Sequence, residues 1–316
     1  MMQIITDQYS RSFKTLRISL LNKCNLSCTY CTMGEGQEKE DATQLSTSGF
    51  LKIVGHLHNV LDLQTIRLTG GEPLLYHDLL PVITGIKEIG IAQIKITTNG
   101  FLLEKTAMPM KLAGMKSVNV SLDSIDENIF FLMSKRNNVQ RVLNGVETAL
   151  AAGLQVKLNA VIMKGINQSQ ILPLLEYAFE HNIIIRFLEV MAMGHLYHQS
   201  QKYFFSQEEL LTVIASKYDF KKLNREEAST SNYWQTSGGN IFGIIANESA
   251  PFCGDCNRLR LDSSGNLYGC LSSNHPVVVN DWDNRDELKE KLYKALLQKQ
   301  SVRFTGSDLS MLHIGG

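Results

Sequence analysis

The chain carries no net charge: its 31 Lys and Arg are matched by 31 Asp and Glu. That balance argues against a general nucleic-acid or membrane-surface binder, while leaving room for local basic clusters. No stretch approaches the roughly twenty apolar residues of a membrane span. The N-terminal residues lack a basic segment followed by an apolar run, so no signal peptide is expected and the location is expected to be cytoplasmic. There is no internal repeat and no low-complexity tract. The eight histidines show no metal-ligand spacing, and His56 and His58 are expected on a helix surface. No cysteine is left over, because all six fall in two triplets: Cys24, Cys28, Cys31 and Cys253, Cys256, Cys270. Without a secretion signal such thiols read as metal ligands sooner than as disulfides.

What is present is a soluble-globular composition, 44% hydrophobic and 20% charged, over 316 residues. That length holds one barrel-sized domain plus an extension, or two ordinary domains. From Lys14 to Glu189 strand-like and helix-like patterns alternate. The strands are expected at Leu16–Leu21, Thr65–Thr69, Ile94–Thr97, Ser117–Leu122, Gln155–Met163 and Ile183–Glu189. Ser46 and Asp78 are expected helix caps. Six such units imply parallel strands joined by right-handed crossovers. No glycine-rich dinucleotide fingerprint follows the first strand; a cysteine loop takes its place. The first four strands each end in polar, glycine or thiol residues, where barrel enzymes carry their chemistry. Beyond Gly194 the texture turns polar and mixed, which divides the chain into residues 1–194 and 195–316. Short strands are expected at Asn240–Ala246 and Arg258–Leu261, and an amphipathic helix at Arg285–Gln298.

Closely spaced thiolates select zinc or iron–sulfur centres. Cys24, Cys28 and Cys31 supply three ligands, whereas structural zinc and ordinary ferredoxin clusters take four. No fourth cysteine is near, and the first histidine downstream is His56. Three thiolates on a 4Fe-4S cube leave one iron open to a substrate; structural zinc or free thiols are the alternative. The second triplet repeats the argument, with a zinc ribbon completed by His275 as its alternative. In Gly70-Gly71-Glu72-Pro73, glycine would let backbone approach a ligand closely, although a plain turn would look the same. Arg258 and Arg260 lie on one side of a strand, as two forks suited to phosphate or purine acceptors. Arg17, Lys157 and Arg186 fall within apolar strands, where a cation is costly unless paired or facing a ligand. Glu189 is a candidate partner for Arg186, but several converging cations fit a triphosphate better.

On these motifs the chain resembles the radical S-adenosylmethionine (SAM) enzymes, whose thiol triplet has an aromatic residue, here Tyr30, before its last cysteine. Within them it resembles most closely the GTP 3',8-cyclase family of molybdenum-cofactor biosynthesis. The specific parts are the second triplet with Asn257-Arg258-Leu259-Arg260, the Arg186-Phe187-Leu188-Glu189 strand and the Ile314-Gly315-Gly316 terminus. The resemblance implies an α/β fold, a partial (β/α)6 TIM-type barrel with a C-terminal extension that carries a second 4Fe-4S cluster. It implies SAM at the first cluster, in contact with Tyr30, Gly71, Ser121 and Met191. It implies GTP between the clusters, held by Arg17, Arg67, Thr98, Lys157, Arg186, Arg258, Leu259 and Arg260. Catalytic roles would fall to Arg258 and Arg260 and to the tail glycines Gly315 and Gly316. The implied product, 3',8-cyclo-7,8-dihydro-GTP, would pass to the cyclic pyranopterin monophosphate synthase, with a flavodoxin or ferredoxin as electron donor. The oligomeric state is left open, a homodimer included. Two alternatives stand beside this reading. One is a radical SAM peptide-modifying enzyme with an auxiliary cluster, although only about a dozen residues precede the first strand. The other is a non-catalytic iron–sulfur or zinc protein. The chain departs from the family pattern at Tyr76, where a basic residue is usual, and over His195 to Asn240, which carries no readable chemistry.

Overall fold

A computed structural model describes residues 5–31, 44–279 and 285–314. Strict apolar alternation builds its centre. On β1 (Thr15–Ser19) Leu16 and Ile18 are fully buried on one side while Arg17 points to the other. The same period of two recurs on β2 (Thr65–Thr69), β3 (Gln93–Thr98), β4 (Ser117–Ser121), β5 (Gln155–Ile162) and β6 (Ile184–Glu189). These match the six expected strands to within two residues at each end. Helices α1 (Thr47–Leu61), α2 (Leu79–Glu88), α3 (Leu103–Ala113), α4 (Glu127–Ser134), α5 (Val139–Ala151) and α6 (Ile171–Glu180) connect them. Their apolar faces pack on the outer side of the sheet in one continuous core that includes Phe13, Phe50, Phe187 and Phe242.

Two local expectations are corrected. Ser46 caps α1, accepting from Gly49 N at 3.1 Å, but Asp78 makes no cap hydrogen bond to α2. Its carboxylate instead accepts from Thr47 Oγ1 at 3.0 Å, tying two helix starts together. Between β4 and α5 an additional helix, α4, stands alone. Asp126 caps it, left-handed Lys135 (φ 58) ends it, and left-handed Asn138 (φ 80) caps the start of α5. Tyr76 packs its ring edge-on against Phe50, 6.2 Å between centroids.

After β6 come α7 (Ser200–Tyr203), α8 (Gln207–Ala215), β7 (Phe220–Lys222), β8 (Asn232–Thr236) and β9 (Ile241–Ile245). Then follow β10 (Arg258–Leu261), β11 (Asn266–Tyr268), β12 (Val277–Val278), α9 (Arg285–Leu296) and α10 (Met311–Ile314). The twelve-stranded order is β12-β11-β10-β1-β2-β3-β4-β5-β6-β9-β8-β7. Strand β10 pairs parallel to β1 and β9 pairs parallel to β6. The parallel run is therefore extended at both edges and does not close: an open barrel. The stretch that had no readable chemistry holds α7, α8 and the antiparallel pair β7–β8, and β8 pairs antiparallel with β9. Among the described residues no helix is long and apolar enough to cross a membrane.

Candidate active site

The first thiol loop leaves β1 and is held from three sides. Gly71 N donates to Leu21 O and Glu72 N donates to Lys23 O, both at 2.8 Å, so the loop after β2 lies directly on it. A Cβ on Gly71 would stand 2.2 Å from Lys23 O, so only glycine fits that contact. Buried Glu72 then ties β2 to β3, accepting from Thr98 Oγ1 at 2.6 Å and Asn99 N at 2.7 Å. Asn99 Nδ2 reaches Cys24 Sγ at 3.7 Å. On another side Ser27 N and Thr29 N donate to Ser134 O and Met133 O of α4. Tyr30 hydrogen-bonds the Asp123 carboxyl, which burial pushes up to about 7. From the C-terminal segment Ser310 Oγ and Leu312 N face the Cys31 thiol. Burial pushes Cys24 up to about 11, Cys31 up to about 12 and Cys28 well above the usual thiol range. His195, from the region without readable chemistry, hydrogen-bonds Thr29 O at 2.9 Å.

The second triplet sits before and after β10 in a different setting. Buried Lys299 donates to Cys256 Sγ at 3.3 Å and to Arg258 O at 2.8 Å. Burial acts to raise the Cys256 thiol, but Arg258 and Lys299 outweigh it and hold it at about 6. Asp255 takes a bidentate pair from Arg225 at 2.7 and 2.8 Å, which pins residues 225–230 over the loop. Arg11, itself paired with Asp7, donates to Cys253 O and Gln300 O from below. His275 is exposed. Among the described residues no three His, Cys, Asp or Glu side chains converge as a single-ion site. A four-iron cube needs no such convergence, since each thiolate binds its own iron.

A cavity of about 670 Å³ opens inside the barrel, and the second triplet forms part of its wall. Arg17, Arg67, Lys95, Lys157, Arg186, Arg258, Arg260 and Lys299 line it, against only Glu226 and Glu227 among the described residues. The cations are under strain from one another. Burial and the neighbouring guanidinium groups of Arg260, Arg67 and Arg258 push Arg17 well below its ordinary pKa. Burial, then Arg186 and Arg258, push Arg67 down to about 10. Arg17 Nε, Arg186 Nε and Nη2, and Arg258 Nη2 are buried without a hydrogen-bond partner among the described residues. Glu189 is not the partner of Arg186; it accepts from Gln207 N, Glu248 N and Ser249 N instead. Such a wall of unanswered donors suits a polyanion.

Of the expected site residues, Arg17, Arg67, Lys157, Arg186, Met191, Arg258, Arg260 and the second triplet all line this cavity. Thr98 does not: its hydroxyl is spent on Glu72, and Thr97, one residue earlier, faces the cavity. The Leu259 side chain is fully buried in the core. Ser121 ends β4 outside the cavity lining, beside Asn159 of β5. Gly315 and Gly316 lie outside the described residues, but Ile314 O accepts from Arg260 Nη1 at 3.2 Å. Sequence reasoning missed Lys95, although it alternates with Ile94 and Ile96 as Arg17 does with its neighbours. It also missed Lys299, Asp123 and the loop of residues 223–230, which carry no periodic signal.

A family model for the radical SAM superfamily matches residues 18–178, and one for Molybdenum Cofactor Synthesis C matches residues 183–305. A thiol loop after the first strand of an open parallel barrel, with those matches, defines a radical SAM enzyme; such an enzyme holds a 4Fe-4S cluster and binds SAM. A GTP 3',8-cyclase of Synechocystis sp. is 35% identical over all of this chain and 96% of its own length. One of Staphylococcus carnosus is 34% identical over 86% of this chain and 83% of its own. The chain belongs to the GTP 3',8-cyclase family. In fold it is similar to SuiB of Streptococcus suis, crystallised with SAM. The TM-score is 0.65 at 16% identity, over 91% of this chain and 68% of that one.

Proposed function

We infer that this chain is a GTP 3',8-cyclase, a radical SAM lyase converting GTP to 3',8-cyclo-7,8-dihydro-GTP in molybdenum-cofactor biosynthesis. The carrying observation is the cavity: eight cations against two carboxylates, with a thiol triplet in its wall. The residues fit the groups this reading needs. Cys24, Cys28 and Cys31 would hold the first cluster, and their buried thiols would lose their protons to iron. Cys253, Cys256 and Cys270 would hold a second 4Fe-4S cluster, whose free iron would meet the guanine. When bound, the first cluster and SAM supply a carbon radical that takes hydrogen from the GTP ribose.

The chain's own residues do the rest. Gly71 lets the loop after β2 lie on the first thiol loop, where SAM would bind; Met191 lines the cavity, and Tyr30 and Ser121 act from outside its lining. Arg17, Arg67, Lys157 and Arg186 hold the triphosphate by charge-assisted hydrogen bonds. Arg258 and Arg260 stand at the guanine end, where they stabilise negative charge and direct protons as the new ring is reduced. Thr98 acts at one remove, by fixing Glu72, and Leu259 offers only its backbone. The Arg260–Ile314 bond holds the C-terminal segment against the cavity. Functionally, residues 1–194 supply the radical and residues 195–316 supply the second cluster. The product passes to the cyclic pyranopterin monophosphate synthase, and a flavodoxin or ferredoxin delivers the electron in the cytoplasm.

Anaerobic reconstitution tests the whole. The protein should hold about eight irons, two four-iron cubes, and release 5'-deoxyadenosine in step with a cyclised guanine nucleotide. Release that is indifferent to GTP, or bound zinc in place of the second cube, contradicts the reading.

A further inference from the structure

Four neighbouring strands place one cation each at the same level of the barrel wall. Their Cα partners run Arg260, Arg17, Arg67, Lys95 across β10, β1, β2 and β3. Like charges directly opposite one another destabilise a sheet, and no carboxylate interrupts this row. Three of the four were expected from the sequence to face the nucleotide. Lys95 was not, and it is the cation of the row farthest from the second triplet. It lines the same cavity. Among the described residues its ammonium has no hydrogen bond and no ion pair; burial and the charges of Arg67, Lys157 and Arg186 all act to push its pKa down. Those three cations come from β2, β5 and β6, so the four charges crowd one end of the cavity from different strands.

We propose that Lys95 completes, with Arg67, Lys157 and Arg186, a subsite for the last phosphate of a nucleoside triphosphate. Lys95 thereby sets a preference for triphosphate over diphosphate. The placement rests on the reading that the guanine lies against the second triplet. Lys95 is three strands from β10, about 14 Å along the wall at ordinary strand spacing, which is comparable with an extended nucleoside triphosphate. A lysine suits that end. Its point charge on a flexible stem follows a terminal phosphate that no covalent link fixes beyond it, where a guanidinium fork would demand one geometry. The polyanion also removes the repulsion that the row suffers when it is empty.

Equilibrium binding of GTP, GDP and guanosine to the anaerobically reconstituted full chain tests this, without turnover. Lys95→Met should weaken GTP about tenfold, the worth of one charge-assisted hydrogen bond. GDP binding should weaken much less, guanosine binding should not change, and Lys95→Arg should recover only part of the GTP affinity. The nucleotide-free Lys95→Met protein should melt at the same temperature as the parent or higher, because a repelled charge has gone. Unchanged GTP affinity overturns the proposal. Equal weakening of all three ligands, or a lower melting temperature without nucleotide, overturns it as well, since either makes Lys95 a structural residue. A failure of the cyclase reading looks different. If ATP binds as well as GTP, and Lys95→Met still abolishes the preference for triphosphate, the guanine assignment falls and the Lys95 subsite stands.

Discussion

The two thiol loops have the same ligand count, three cysteines each, and different neighbours. Neutral donors face the first: Asn99 Nδ2 on Cys24, Ser310 and Leu312 on Cys31. Full cations face the second: Lys299 on Cys256, with Arg258 beside it. Burial raises every thiol of the first loop; in the second it raises Cys253 as well, to about 11, and it is Cys256, next to the cations, that is held at about 6. The contrast has a physical use. SAM brings its own sulfonium cation to the first loop, where protein cations would repel it, and a neutral shell keeps a cluster hard to reduce and so strongly reducing. On the proposed reading the second loop meets the guanine, and its cations would stabilise negative charge that develops there.

The largest effect should come from the thiols. Cys28→Ser and Cys256→Ser should each abolish turnover and each leave about four irons of about eight. Only the first should remove the change that SAM makes in the cluster's EPR spectrum; a single change that empties both sites would break the comparison. Next is the support under the second loop. Asp7→Asn should cost about 3 kcal/mol of stability in urea unfolding, because it strands buried Arg11. Burial acts to raise the Asp7 carboxyl, but the hydrogen bonds and charge of Arg11 lower it below its ordinary value. Its stabilising contribution is therefore present above about pH 4 and is lost as pH falls through the folded value, so parent and variant should converge in acid.

Gly71→Ala sharpens the first side. Its Cβ would press on Lys23 O, moving the first loop at a cost of about 2 kcal/mol, with SAM binding weakened in a dialysis assay. The smallest effects are the most diagnostic. Lys299→Met and Ser310→Ala should both lower the reduction potential of the adjacent cluster. The first removes a donor to Cys256 Sγ, and the second removes a hydroxyl that donates to Cys31 O and sits beside its thiol. The lysine change should be the larger because it removes a full charge; EPR-monitored titration of each cluster checks the order.

Much of this was legible in the residues. Period-two alternation marked β1 to β6 and turned Arg17, Lys157 and Arg186 inward, because a strand has only two faces. The same alternation was present for Lys95 and went unread, since it lies nearer the exposed beginning of β3, after polar Gln93. Thr98 turns its hydroxyl to Glu72 while Thr97 lines the cavity, because neighbours on a strand take opposite faces. Lys299, His195 and Ser310 had no local signature at all. Each sits in an irregular polar segment and reaches its thiol loop only because the chain folds back across it.

The sequence by itself determined which atoms could bind metal and which strands would be parallel, because ligand number and side-chain period are local properties. It also carried the surplus of inward cations, since an Arg or Lys amid buried leucines and isoleucines has few places to go. Only the tertiary structure decided that those cations share one cavity, and that a lysine near the C-terminus flanks one thiol loop while a serine and an asparagine flank the other. Electrostatic surroundings are sums over groups distant in the chain, and no window along the sequence contains them.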